Sequence, residues 1–421
     1  MLMSMKEINE LFLRLCKVVI NIEDHVLQVA YISKQIAETL GYDKRILNML
    51  GLFHDLGFSA PEFVNQIQRE KPIEKATVRD WLVIDKQNGK EHASKGAMLS
   101  KFLPFLSNYE DVIFFHHNHA DELKESNILH YFANMIYLAD TVSTSFLTAK
   151  DVNYSFIKNT RNDIDKSDLF FNSLKNAFLE ISTHEEFWWS IENSELLKDE
   201  LFRDTDDRLI PLKELDAFAN LVTFLVDAKS SFTRYHTQRI VHVSKKLAEE
   251  FYLGKERIYE MQIAAKFHDI GKMATPISIL NKPGSLDKNQ LYIMKKHVYD
   301  SFIILGGREA IEKHKWVAWA VEHHERLDGS GYPWGRKSEE LSLESRILMV
   351  ADVFVALTED RPYRNGLPVS KSLEILEKQV DDGLMPEEVV NKLRHLINKG
   401  FRHDNFNDTA EIIKNTIERP F

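Results

Sequence analysis

The chain of 421 residues has almost no sulfur to cross-link: one cysteine, Cys16, so no intrachain disulfide. That scarcity points to a reducing cytoplasm and leaves any metal ligation to His, Asp and Glu. An excess of basic residues is also missing. Lys and Arg total 54 against 64 Asp and Glu, a net charge of −10, which argues against a binder of nucleic acid polymers. A small anionic substrate is still compatible, because a metal site carries its own positive charge. No apolar run is long enough to span a membrane. Leu11 to Ile20 is interrupted by Arg14, Cys16 and Lys17, and reads as an amphipathic helix packed on its own domain. Alternating β-branched runs are scarce. What remains, 44% apolar and 11% aromatic residues, is ample for buried cores.

Helical periodicity fills the space that strands do not. Residues 25–41, 239–254 and 257–272 carry apolar side chains at three- and four-residue intervals. Gly41 and Gly254 stand where helix-ending glycines belong. The expected fold class is all-α, and the length suits two or three domains.

The chain also repeats itself. HVLQVAYISKQIAETLGYDKRILNMLGLFHDLG (25–57) resembles HTQRIVHVSKKLAEEFYLGKERIYEMQIAAKFHDIG (236–271). His92 then parallels His297, His116-His117 parallels His323-His324, and Asp140 parallels Asp352. Seven residues of metal-ligand type recur in one order, which implies two copies of one helical domain. The expected division is residues 1–205 and 206–421, with the boundary near the charged stretch and proline of Asp204 to Pro211. Phe187, Trp188 and Trp189 read as packing residues.

In the second copy, His236, His268, Asp269, His297, His323, His324 and Asp352 supply five imidazoles and two carboxylates, a donor set for iron, manganese or zinc. Each histidine alone would pass as a packed or surface residue; together they argue for metal. Asp269, beside His268, is placed to bridge two cations. A two-metal site activates water and neutralises a phosphoryl oxygen, as phosphodiester hydrolysis requires. Lys272, one turn past His268, and Arg361 and Arg364 are candidate phosphate contacts. Gly329, Gly331 and Pro333 are turn residues, and Tyr332 sits on a loop leaving the His-His pair, where substrate contact is expected. His242 and His314 fall outside the pattern and read as structural or surface residues.

Residues 212–410 resemble the HD-GYP family of HD metal-dependent phosphohydrolases through HDIGK (268–272), HHERLDGSGYP (323–333) and VADVFVALTEDRPYR (350–364). The resemblance implies two tandem HD-type domains, of which the second hydrolyses a bacterial cyclic dinucleotide, cyclic di-GMP or 3′,3′-cyclic GMP-AMP. It implies the seven residues above as metal ligands, with Asp269 and Lys272 catalytic. Lys272, Tyr332, Arg361 and Arg364 would contact substrate. The implied cofactors are divalent ions, iron or manganese first, with nickel, zinc and magnesium as alternatives. Two departures stand out. Members with three metals carry a Glu four residues before the first His, where this chain has Phe232, so two ions are expected. The family often has FDAL after the last metal Asp, and here Val355 replaces that second Asp, a structural hydrogen-bonder.

The first copy keeps a candidate second metal set: His25, His54, Asp55, His92, His116, His117 and Asp140. It lacks the surrounding chemistry. Phe58 stands in the place of the Lys, no Gly-Tyr-Pro follows, and no Arg-Pro-Tyr-Arg follows Asp140; His119 and Lys124 are local substitutes at best. A regulatory or structural role is expected, and the first domain or the Gly-Tyr-Pro loop is a candidate surface for a homodimer or a signalling partner. The competing reading is a module that binds a cyclic dinucleotide without turning it over. A mononucleotide phosphohydrolase is a third, disfavoured by the Gly-Tyr-Pro loop.

Overall fold

In a computed structural model the described residues are 3–71, 73–87, 91–203, 205, 208–229, 236–360 and 365–404. Among them the regular elements are helices, and the sole strand-like features are two isolated bridges, Ser4 with Leu209 and Asp328 with Lys337. The chain is all-α, as expected. It forms two compact units that divide between Ala217 and Phe218, within the helix Leu212–Lys229, twelve residues past the expected end at 205.

The first unit is built around the helix Glu23–Thr39, almost wholly buried by Val26, Val29, Ala30, Ile32 and Ile36. Helices Lys44–Phe53, Glu91–Ser100, Glu110–Phe115 and Ile128–Thr148 complete the set that carries the metal-type residues. The run Leu11 to Ile20 packs inward, as the second part of the helix Met5–Leu15 and then a wider π-turn, Cys16–Ile20. The stretch after residue 150 belongs to this unit. It folds into four helices, Tyr154–Lys166, Asn172–Ile181, Glu185–Ile191 and Ser194–Arg203. Gln28 Nε2 donates to the Ile191 carbonyl at 2.8 Å and Asn48 Nδ2 to the Leu201 carbonyl at 2.9 Å, pinning two of them to the core. Phe187 and Trp188 are buried as expected, whereas Trp189 is 67% exposed. Consecutive helical residues diverge by about 100°, so three aromatics in a row cannot all face one core.

The second unit repeats the order with helices His236–Glu250, Lys255–Phe267, Lys288–Ile304, Lys315–Val321 and Leu343–Thr358. Helices Val369–Asp381 and Glu387–Asn398 follow them. One glycine reading is corrected here. Gly41 does take a left-handed conformation after its helix, but Gly254 has φ of −62° and caps the start of the next helix. The left-handed residue at that corner is Tyr252, which points into solvent.

Both units share one tight junction. After the His-Asp pair the chain enters a 3₁₀ turn, Ile270–Met273 in the second unit and Leu56–Ser59 in the first. The glycine in each turn lies directly against the next histidine-bearing helix. A Cβ on Gly271 would stand 2.0 Å from the His297 carbonyl oxygen, and one on Gly57 would stand 1.9 Å from that of His92. Glycine is what lets the turn and helix touch, and the contact sets the spacing between Asp269 and His297. Gly271 N–H also donates to Ser301 Oγ at 2.9 Å, and that hydroxyl donates to the His268 carbonyl at 3.0 Å.

Candidate metal centre

All seven predicted ligands of the second unit converge, and six of them are buried. His236 opens its helix, His268 caps the end of Lys255–Phe267, and Asp269 starts the 3₁₀ turn. His297 and Asp352 project from the middle of long helices. His323 and His324 lie just beyond the helix Lys315–Val321, not within it, with ring centroids 4.1 Å apart and planes inclined at 45°.

Asp269 is the hinge of the arrangement. Its Oδ2 lies 3.0 Å from His268 Nε2 and 3.9 Å from His236 Nε2. Its Oδ1 lies 3.2 Å from His297 Nε2 and 3.9 Å from His323 Nε2. One carboxylate thus addresses two groups of imidazoles with different oxygens. Asp352 closes the other side, with Oδ1 3.5 Å from His236 Nε2 and Oδ2 3.8 Å from His324 Nδ1.

The outer nitrogens decide what the inner ones can do. His268, His297 and His323 each place Nδ1 on the backbone carbonyl three residues back, at 2.8, 2.6 and 2.7 Å. A carbonyl only accepts, so Nδ1 carries the proton and Nε2 keeps its lone pair toward the centre. Those three Nε2 atoms and Asp269 Oδ1 are buried with no hydrogen-bond partner. Buried acceptors without donors are costly, and divalent cations would satisfy them. The residues therefore fit a metal centre.

Electrostatics agree. Burial pushes His323 down to about 3, with His268 adding to the effect, and burial and His323 hold His324 well below the usual range. Burial works against ionised Asp269, but His268 and Lys272 keep its carboxyl well below the usual range. His323 and His324 thus present neutral imidazole, and Asp269 an ionised carboxylate, near pH 7. Burial also disfavours charged His236, but Asp352 and Glu359 raise it to about 9. A metal there displaces a proton.

Lys272 Nζ is hydrogen-bonded to Asp269 Oδ2, at the edge of the cluster. Tyr332 lies against His324, ring centroids 4.9 Å apart, with Lys295 Nζ 4.8 Å above its ring. Its loop is tied down by Glu325, buried and missed by sequence reasoning, whose carboxylate accepts from Trp334 N at 2.9 Å and Arg336 N at 3.0 Å. Gly331 packs so tightly on this anchor that a Cβ would stand 2.3 Å from Glu325 Cα. Lys229 was also missed. It is buried, and its Nζ bonds the Met273 and Thr275 carbonyls at the end of the turn that carries Lys272. The expectations on Phe232, Arg361 and Arg364 lie outside the described residues. His314 is buried, and His242 stacks on Phe401, both apart from the centre.

The first unit builds the same frame. Asp55 Oδ2 faces His25 at 3.4 Å and His54 at 3.3 Å, while Oδ1 faces His92 at 3.3 Å and His116 at 3.9 Å. Asp140 links His25 at 3.2 Å to His117 at 3.7 Å. His92 Nε2 lies 3.1 Å from His116 Nε2 and 3.0 Å from His117 Nε2. Nitrogens bound at right angles to one ion at about 2.1 Å sit about 3.0 Å apart, so this trio also fits a cation. Access differs. Phe58 stacks on His92 with centroids 4.3 Å apart, packs on Phe63 and Trp81, and is buried. With Ile22, Val78 and Trp81 it lines a cavity of about 20 Å³ against the cluster, while Ile22, Val78 and His25 also line a wider cleft of about 870 Å³. His119 and Lys124 take no part in it: His119 stacks beside Tyr137 and Lys124 N–H donates to His130.

The HD domain family matches this chain twice, over residues 22–145 and 220–387. The 3′3′-cGAMP-specific phosphodiesterase 1 of Vibrio cholerae is 30% identical over 389 residues, covering 87% of this chain and 85% of its own. A cyclic di-GMP phosphodiesterase of Thermotoga maritima is 34% identical over 214 residues, covering 50% of this chain and 56% of its own. Among solved structures, a cyclic GMP-AMP specific phosphodiesterase of V. cholerae, V-cGAP3, aligns with a TM-score of 0.61 at 18% identity, over 94% of this chain and 98% of its own; the likeness is one of fold. Among the described residues no helix is long and apolar enough to cross a membrane. Two HD frames in one chain, a Gly-Tyr-Pro loop on the second, and a relative matched across both place this protein in the HD-GYP family of cyclic dinucleotide phosphodiesterases.

Proposed function

We propose that the second unit hydrolyses a phosphodiester bond of a 3′,3′-cyclic dinucleotide on a centre of two divalent ions, and that the first unit holds metal without turning substrate over. The observation that carries the reading is Asp269, one carboxylate with each oxygen turned to its own group of imidazoles. Ions held there supply Lewis acidity and an activated water. The protein's own part is to keep Nε2 lone pairs inward through the carbonyls of residues 265, 294 and 320. Lys272, a compact cation beside Asp269, holds the scissile phosphate and supports the departing 3′-oxygen. Tyr332 supplies an aromatic face beside His324 for a base, and Arg361 and Arg364 are further phosphate contacts.

Between substrates, the mixed 3′,3′-cyclic GMP-AMP is favoured. The relative named for it is matched over both halves, whereas the cyclic di-GMP relative above covers half of this chain. For the first unit, the missing Lys and the aromatic lid support retention of metal without turnover. The test is a hydrolysis panel of cyclic dinucleotides with Mn, Fe, Ni, Mg and Zn. Cleavage that vanishes when His268 and Asp269 are both changed to Ala is expected. Stoichiometric binding with no product under every metal would establish the binding-module reading instead.

A further inference from the structure

Five of the imidazoles that face Asp269 and Asp55 through Nε2 hold their outer nitrogen with a backbone carbonyl: His54, His116, His268, His297 and His323. His236 does not. It is the first residue of its helix, and its Nδ1 lies 2.9 Å from Glu359 Oε2. The other Glu359 oxygen lies 3.5 Å from Arg239 Nη1, so the carboxylate is held from both sides while buried.

The first unit shows what this replaces. There His25 Nδ1 rests on Ser143 Oγ at 2.9 Å, and that hydroxyl donates to Gln28 Oε1 at 2.8 Å. Ser143 stands three residues after Asp140. Three residues after Asp352 stands Val355, fully buried and without a polar atom. Four residues later, one turn along and on the same side of the chain, comes Glu359, the cap of the helix Leu343–Thr358. The outer partner of the first histidine has moved by a turn and changed from hydroxyl to carboxylate.

We propose that Glu359 is a positioning residue for His236, taking over the task that position 355 cannot perform. A carboxylate only accepts, so it fixes the proton on Nδ1 and aims Nε2 at Asp269 and Asp352; its charge also makes Nε2 the stronger donor. The inference rests on reading this site as a metal centre.

The test compares Glu359→Ala, Glu359→Gln, Arg239→Ala and Glu359→Ala combined with Val355→Asp, in the full chain. Metal affinity is measured with Mn²⁺ by equilibrium titration, beside kcat, KM and thermal melting. Glu359→Ala should weaken one class of Mn²⁺ site by about 10–100-fold and lower kcat with little change in KM. Glu359→Gln, which keeps an acceptor oxygen, should fall between. Val355→Asp should restore part of the lost affinity. Arg239→Ala removes the ion pair but not the bond to His236, and should leave Mn²⁺ affinity near wild type. Wild-type affinity in Glu359→Ala, or an equal loss in Arg239→Ala, overturns the proposal while leaving the metal centre intact. Failure of the wild type itself to bind Mn²⁺ or any other divalent ion overturns both.

Discussion

Gly271→Ala and Gly57→Ala deliver the same steric insult to the two units, and they should have different consequences. The added Cβ on Gly271 would sit 2.0 Å from the His297 carbonyl oxygen and 2.6 Å from Ser301 N. Ordinary contact begins near 3.4 Å, so turn and helix must part by about 1.4 Å, and both partners are backbone. Overpacking of this kind costs about 1–3 kcal/mol. Stretching the Gly271–Ser301 bond adds about 1 kcal/mol. For a unit of this size that is a fall in Tm on the order of 10 °C. The same shift moves His297 away from Asp269, and a displacement of about 1 Å at a reacting centre costs about 10²-fold in rate. Gly57→Ala meets the His92 carbonyl at 1.9 Å and should lower Tm comparably. It should leave kcat within about 3-fold, since the reaction is assigned to the second unit. Calorimetry and initial rates on both variants decide it. Gly271→Ala with unaltered turnover and metal content would refute the close-packing account of the HDxG turn. Loss of turnover in Gly57→Ala would refute the division of labour.

Other consequences are open to measurement. Lys272→Met should cut kcat by about 10²–10³-fold while metal content stays at the wild-type level, because the ammonium is proposed to act on phosphate and not as a ligand. Metal lost along with activity would contradict that role. Gly331→Ala, forced against Glu325 Cα, should displace Tyr332 from His324 and raise KM, read in steady-state kinetics, with metal content unchanged. Asp227 is buried against Thr237, and burial raises its carboxyl to about 8. A raised carboxyl stabilises the fold fully below the unfolded value of about 3.9 and loses that contribution as pH climbs to about 8. The difference in unfolding free energy between wild type and Asp227→Asn should therefore turn against the wild type from pH 5 to 8 and flatten above; a constant difference would show Asp227 to be ionised throughout.

The metal frame was legible because ligands cannot be exchanged freely: an imidazole or carboxylate in apolar sequence needs a reason, and seven in order have one reason. The all-α class followed from period alone. What escaped depended on which rotamer a side chain takes across a turn. Val355 read as a lost hydrogen bond, and nothing in the sequence tells that Glu359 would reach back to His236. Glu325 and Lys229 act on backbone groups of other segments, which carry no side-chain signature to match. Residues 154–203 form amphipathic helices that bury one narrow stripe and expose the rest. Trp189, within that region, shows that a large apolar side chain is not evidence of burial.

The lid of Phe58, Trp81, Ile22 and Val78 over the first cluster also has a temporal meaning. Under the proposal that the first unit holds an ion, packing that covers it on this side would slow its exchange. A chelator would then draw metal from the protein in two phases, fast from the open centre and slow from the closed one.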